Sequence, residues 1–186
     1  MPSVFSHAIV GSTIVACGLA RPRATLVVLG AVLAVVPDLD VVGIAFGWGL
    51  DHPLGHRGLS HSVLAAVTLA GLCTLAIRAR PPERRWHIWL VLALAAASHG
   101  LLDALTNGGR GVAFFAPFVD TRWHFPVRPI EVSPIGVWTF VSRRGLEVLT
   151  NEVVWLWIPS LAALAATWAW RRLSDPRTPA APGPDR

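Results

Sequence analysis

Histidine and aspartate recur in short motifs spread over most of the chain. His7 lies in an early apolar segment, Asp38 and Asp40 in Pro37-Asp38-Leu39-Asp40, His56 and His61 bracket Arg57-Gly58-Leu59-Ser60, and His99 precedes Asp103 by four residues. Imidazole nitrogens and carboxylate oxygens are the ligands of zinc and of harder divalent ions. Residues i and i+4 share a helix face, so His99 and Asp103 can reach one ion. A lone H-x-x-x-D is common by chance; four such fragments meeting at one place are a stronger signal. Seven candidate ligands (His7, Asp38, Asp40, His56, His61, His99 and Asp103) exceed what one ion needs, so two ions with a bridging carboxylate and an activated water are plausible. The chemistry this predicts is activation of a water by a bound divalent ion, zinc first among the candidates, with Asp38 and Arg57 as the candidate catalytic groups.

Arginines suggest what would be hydrolysed. Arg57 lies between two candidate ligands, and Arg122, Arg128 and Arg144 follow at intervals; guanidinium groups grip phosphate oxygens in pairs. A phosphoester or another ester is therefore the expected substrate, bound by Arg122, Arg128 and Arg144. Lipid headgroups, or Glu131, Glu147 and Glu152, are their other possible partners. Glu152 is also a spare ligand or acid. His52 and His124 read as surface or lid residues, and His87 as interfacial. No G-x-S-x-G, Walker loop or CxxC pair is present, which removes support for serine nucleophiles and nucleotide binding.

The elements that must position these groups are apolar helices. Hydrophobic residues make up 53% of the 186, charged residues 15%, and mean hydropathy is +0.53, the balance of a membrane protein of one domain. All sixteen basic residues are Arg, and the formal charge of +5 suits anionic lipid better than nucleic acid in so apolar a chain; direct nucleic-acid binding is not expected. Cys17 and Cys73 lie singly in apolar runs and read as small buried residues. The fold expected is all-α: a polytopic bundle of about five helices over Val4–Ala20, Ala24–Val36, Ser60–Ile77, Trp86–Leu105 and Val153–Trp170. A bilayer takes about 20 apolar residues to cross, so the second stretch is too short unless it runs on through Pro37. In that case Asp38 and Asp40 lie within the membrane, where an ionisable group faces a cavity or a partner.

Arg21 and Arg23, the segment with Arg78, Arg80, Arg84 and Arg85, and Arg171 with Arg172 lie at alternate helix ends. The positive-inside rule assigns these to the cytoplasm, and the ligand motifs to the outer face, periplasmic or extracellular. Trp86, Trp89, Trp168 and Trp170 would mark the inner interface, Trp155 and Trp157 the outer one. Residues 106–152 are too apolar for a disordered linker and too rich in proline for continuous helix; they predict an ordered cap over the site, of the kind that long loops often form. Residues 1–172 form the membrane-embedded domain, and the Pro-rich polar tail, 173–186, is expected to be disordered.

These motifs together resemble a family of bacterial inner-membrane metal-dependent hydrolases, the YdjM-like group described as LexA-regulated or LexA-binding. The resemblance rests on His7, Pro37-Asp38-Leu39-Asp40, His56-Arg57-Gly58-Leu59-Ser60-His61-Ser62, Ser98-His99-Gly100-Leu101-Leu102-Asp103, Phe115-Ala116-Pro117-Phe118 with Arg122 and Pro126, and Arg144-Gly145-Leu146-Glu147. It implies a multi-pass inner-membrane hydrolase that uses a metal. The order of ligands is also distantly similar to the zinc phospholipase C and single-strand nuclease group, but no second H-x-x-x-D or H-x-x-x-E follows and no Trp begins the chain, so a third ion is not expected. The alternative reading is a non-enzymatic membrane protein, either a metal transporter or a stress-response interaction module. A transporter would carry repeats and a midplane ligand cluster, and the sequence has no visible repeat.

Overall fold

In the computed structural model the chain is all-helical, and the structure describes residues 1–49, 52, 54–77, 82–134 and 136–174. The helices are α1 (Val4–Gly18), α2 (Ala24–Leu33), α3 (Val42–Ala45), α4 (Val63–Ala76), α5 (Pro82–Ala104), α6 (Val137–Phe140), α7 (Arg143–Glu152) and α8 (Ile158–Leu173). A 3-10 helix at Val36–Val41 joins α2 to α3, another at Leu59–His61 precedes α4, and a π-helical turn at Val153–Trp157 joins α7 to α8. Arg78, Arg80 and the side chain of Arg84 lie outside the described residues, as does the tail from residue 175.

Among the described residues, three helical segments are long and apolar enough to cross a membrane: Ala24–Ile44, Arg85–Ala104 and Arg143–Leu173. The second apolar stretch thus does run through Pro37. The last one starts ten residues before the expected Val153, because α7 continues through the π turn into α8. Pro159 has no N–H for the carbonyl four residues back, and the wider turn lies directly ahead of it. Helices α1 and α4, at 15 and 14 residues, rise only about 22 Å, short of a hydrocarbon core of about 30 Å. Chain from the cap meets both at the same end: Val63 N–H donates to Phe114 O at 2.9 Å and Ser133 N–H to Met1 O at 2.9 Å.

Helix α5 is the central element. Leu92 and Ala95 are fully buried and Ala96 nearly so, packed with Val15, Leu33, Ala66 and Ala70 from α1, α2 and α4. Contacts of this kind between apolar helices in lipid rest on close packing rather than on escape from water. Gly11 and Gly30 show it directly: a Cβ on Gly11 would lie 2.5 Å from Ala34 Cβ and from Gly30 O. The outward faces carry large exposed apolar residues such as Val28, Leu72, Leu75, Leu94 and Leu161.

The two ends of the bundle differ in chemistry. At one, Arg171 donates to the carbonyls of Ala16, Cys17 and Leu19 at 2.9, 3.2 and 2.7 Å, and His87 Nε2 donates to Gly18 O at 3.0 Å. Exposed Trp86, Trp168 and Trp170 belong to this end, and the Arg172 guanidinium lies over the Trp168 ring. At the other end stand His7, Asp38, His99 and Asp103, under residues 106–134 and 136–142. This cap is ordered as expected: Val112 and Trp123 exchange both backbone hydrogen bonds at 2.9 Å, and Asn107 N–H donates to Ile130 O at 2.9 Å.

Candidate metal centre

Pro37 shapes the first pair of acids. It disfavours α geometry in the residue before it and lacks an N–H, and the backbone tightens into the 3-10 turn. With three residues per turn, positions two apart diverge by about 240°, so Asp38 and Asp40 serve different neighbours. Asp38 reaches the imidazoles of α5 and the loop, with Oδ1 3.3 Å from His99 Nε2 and 3.9 Å from His61 Nε2. Asp40 turns to the loop alone: Oδ1 is 2.7 Å from His56 Nδ1, while Oδ2 accepts from Ser60 Oγ at 2.5 Å and lies 3.1 Å from His61 Nδ1.

One set of four groups is placed to hold an ion. Ligand atoms of Asp38, His61, His99 and Asp103 all lie within 4.8 Å of one another, and all four residues are buried. Asp103 Oδ2 is 3.5 Å from His61 Nε2, and His7 Nε2 is 3.5 Å from Asp103 Oδ1. The His7 ring stacks on His99 with centroids 3.9 Å apart. Asp40, His56 and His61 form a second group within the same distance, sharing His61 with the first.

Hydrogen bonding fixes the tautomers. His99 Nδ1 is 2.7 Å from Ala34 O, an acceptor only, so this nitrogen carries the proton and Nε2 presents its lone pair to the cluster. His61 Nδ1 donates to Ser60 Oγ at 2.9 Å, whose own hydrogen goes to Asp40, and lies 3.1 Å from Asp40 Oδ2. Imidazoles that ligate a metal donate their other N–H to a carbonyl or carboxylate; a carbonyl serves His99 here, and Asp40 serves His61 through Ser60. Asp40 is therefore better placed to orient His61 and His56 than to complete the first set.

Unpaired atoms point the same way. Both oxygens of Asp38 and of Asp103 and both nitrogens of His7 are buried without a hydrogen-bond partner. Buried polar atoms of this kind are costly; a cation among them would satisfy several at once. The residues present fit a divalent metal. His61 itself is pulled down by burial, but Asp103 and Asp40 outweigh this and raise it to about 9.

Arg57 supports the cluster from one side. It is 3% exposed, with Nε 3.0 Å from Asp103 Oδ2 in a charge contact off hydrogen-bond alignment. Nη1 donates to Gly108 O at 3.0 Å and Nη2 to Thr106 Oγ1 at 3.1 Å. Its φ of +65° is unusual for a residue with a side chain. Gly109, at φ +84°, leaves room for the guanidinium: a Cβ there would lie 2.5 Å from Nη1.

Residues 1–174 match the YdjM inner membrane protein family. The chain belongs to that family. Inner membrane protein YbcI of Escherichia coli (strain K12) is 35% identical over 182 residues, which cover 92% of this chain and 99% of YbcI. No solved structure matches the chain. As a YdjM family member with helices able to span a bilayer, it is an inner membrane protein.

In this YdjM protein the other predicted residues are more dispersed. Arg122 donates to the carbonyls of His56 and Arg57 at 3.3 and 3.1 Å, bracing the ligand loop. Arg128 is exposed on the cap. Arg144 pairs with Glu131 at 2.5 Å and lies 3.6 Å from Glu147, an arrangement apart from the cluster. His52 stacks on Trp48, and neither it nor His124 joins a ligand group. Glu152 has a place the sequence did not reveal. Fully buried, it accepts from Ser3 N–H and Ser3 Oγ at 2.5 Å each and from Ser6 Oγ at 2.7 Å. Trp157 Nε1 donates to Ser6 Oγ at 2.8 Å. A carboxylate at a helix N-terminus is favourable, and here it ties the first turn of α1, next to His7, to the last helix. The only signals were Ser3 ahead of an apolar run and an acid at the edge of another.

Proposed function

We propose that this YdjM family member is a metal-dependent hydrolase of phosphoesters or related esters. The observation that carries the reading is the buried group of Asp38, His61, His99 and Asp103 with its unpaired oxygens. These four would hold an ion, with His7 beside them; because His61 Nδ1 carries a proton, the Asp40, His56 and His61 group serves to orient the ligands rather than to hold a second ion. A divalent ion bound there supplies Lewis acidity and a water of lowered pKa.

The chain's own residues do the rest. Asp38, with Oδ1 toward the imidazoles and neither oxygen hydrogen-bonded, takes the proton of the attacking water. Asp40 holds the His61 and His56 rings in register. Arg57, with its donors occupied by protein, holds Asp103 in place and lends positive potential to developing negative charge. Arg128 on the cap is available to an anionic substrate. The arginine-rich end is cytoplasmic under the positive-inside rule, which puts the site on the outer face. Detergent-purified protein should hydrolyse members of a phosphodiester and phospholipid panel, lose the activity to chelator and regain it with zinc or manganese. Asp38→Asn, which removes a ligand as well as the proton acceptor, should abolish the chelator-sensitive activity. Equal rates for wild type, Asp38→Asn and chelated protein would overturn the reading.

A further inference from the structure

A cavity of about 570 Å³ opens next to the candidate metal centre, between the N-terminal segment, Val41, Ser133, Pro134 and residues 136–141. Its volume is that of a small-molecule site. Phe5, Val41, Val137, Phe140 and Val141 line it, and Asp38 is its acidic wall. Asp38 is more than nine-tenths buried, and both its oxygens lack hydrogen-bond partners. The cavity thus joins an apolar chamber to an unpaired carboxylate of the ligand group.

The rim of the mouth is exposed and apolar. Phe5, Val137 and Val141 are 57%, 73% and 72% exposed, and the neighbouring Trp138 is 89% exposed. In a membrane protein such residues meet lipid, with tryptophan at the headgroup level. An open groove with so apolar a lining is matched by an apolar occupant, which for a membrane protein the bilayer supplies. Transfer of an acyl chain from lipid to an apolar chamber changes little in free energy, because both surroundings are equally apolar. The chamber would therefore orient a chain, leaving affinity to the headgroup.

We infer that this cavity receives one hydrocarbon chain of a membrane lipid whose headgroup phosphoester is presented to the candidate metal centre of which Asp38 is part. The inference rests on the hydrolase reading for its substrate role but not for the binding site itself. It makes the substrate a lipid taken sideways from the membrane, and Val137, Phe140 and Val141 its specificity-determining residues.

The test uses full-length protein in vesicles of phosphatidylethanolamine and phosphatidylglycerol, doped with a phosphatidylethanolamine bearing a diazirine at the end of one acyl chain. After illumination, adducts are mapped by peptide mass spectrometry. Adducts should concentrate on Phe5, Val41 and residues 137–141. Val137→Trp with Val141→Trp should reduce them about tenfold by filling the chamber, while Val28→Trp, of similar bulk on the outer face of α2, leaves them unchanged. Adducts on lipid-facing α8 that persist in every variant show that each remains folded in the membrane. Cavity adducts no denser than those on α8, or insensitive to the paired tryptophans, would overturn the inference. The labelling needs no turnover. Cavity labelling without chelator-sensitive hydrolysis would keep the chain site and refute the hydrolase; hydrolysis of soluble phosphodiesters without cavity labelling would do the reverse.

Discussion

His61 and His99 point their Nε2 atoms at each other across 2.9 Å, and the partner of each ring's other nitrogen prevents either from turning away. Ala34 O holds His99 Nδ1 at 2.7 Å, and Asp40 with Ser60 holds His61 Nδ1. Two lone pairs at this separation repel unless a proton or a cation lies between them. Metal and proton therefore compete for one place.

That competition has a pH signature. His61 rises from an ordinary 6.5 to about 9 in the metal-free fold, so its contribution to stability is fully present below 6.5 and is lost as pH rises through about 9. Thermal unfolding in chelator should show falling stability over that window. Metal binding displaces the proton, so affinity should instead strengthen as pH rises, and calorimetry in buffers of different ionisation enthalpy should detect proton release. Metal affinity independent of pH would contradict the shared position.

Asp40 and Asp38 should separate by the size of their effects. Asp40→Asn removes an orienting carboxylate and should weaken metal binding about 10–100-fold. Asp38→Asn or His99→Ala removes a direct ligand and should leave no stoichiometric binding in competition with a chromophoric chelator. Equal losses for Asp40→Asn and Asp38→Asn would place both carboxylates on the metal.

Arg57 is predicted to be needed for stability in its own right. Its loss leaves Asp103 buried without its cation, a change that costs about 3–5 kcal/mol, so Arg57→Met should unfold at far lower denaturant. Arg57→Lys should not restore stability, since an ammonium lacks the planar fork that meets Asp103, Thr106 and Gly108 together. Gly109→Ala should act in the same direction by crowding Nη1. Wild-type stability in Arg57→Lys would contradict this role.

Glu152→Ala should destabilise the protein by about 1–3 kcal/mol, because the buried Ser3 N–H loses its acceptor. Glu152→Gln should recover part of this, since its amide oxygen still accepts. Metal stoichiometry should stay at the wild-type value in both, as Glu152 touches α1 and not the cluster. Metal loss in Glu152→Gln would make it a ligand in solution.

How much of this was legible in the sequence differs from residue to residue. The convergence of His7, Asp38, His61, His99 and Asp103 followed from alternating helix direction and the arginine pattern, because topology alone brings alternate helix ends together. The division of labour between Asp38 and Asp40 did not, since it depends on Pro37 tightening the turn so that neighbouring carboxylates diverge. Arg144 looked like a phosphate ligand because its three-dimensional neighbours, Glu131 and Glu147, were only two of several candidate partners. Glu152 was obscured for the opposite reason: its partners, Ser3 and Ser6, lie at the far end of the chain. The early start of the last helix was missed because polar α7 lacks the apolar run that marks a span; its membership is set by continuity with α8.

The most direct measurement is elemental analysis of detergent-purified protein alongside Asp38→Asn and His99→Ala, with circular dichroism to verify that each is folded. At least one equivalent of divalent metal in wild type, lost in both variants, is the predicted result. Folded wild-type protein that carries no divalent metal, and takes up none when zinc or manganese is supplied, would contradict the account.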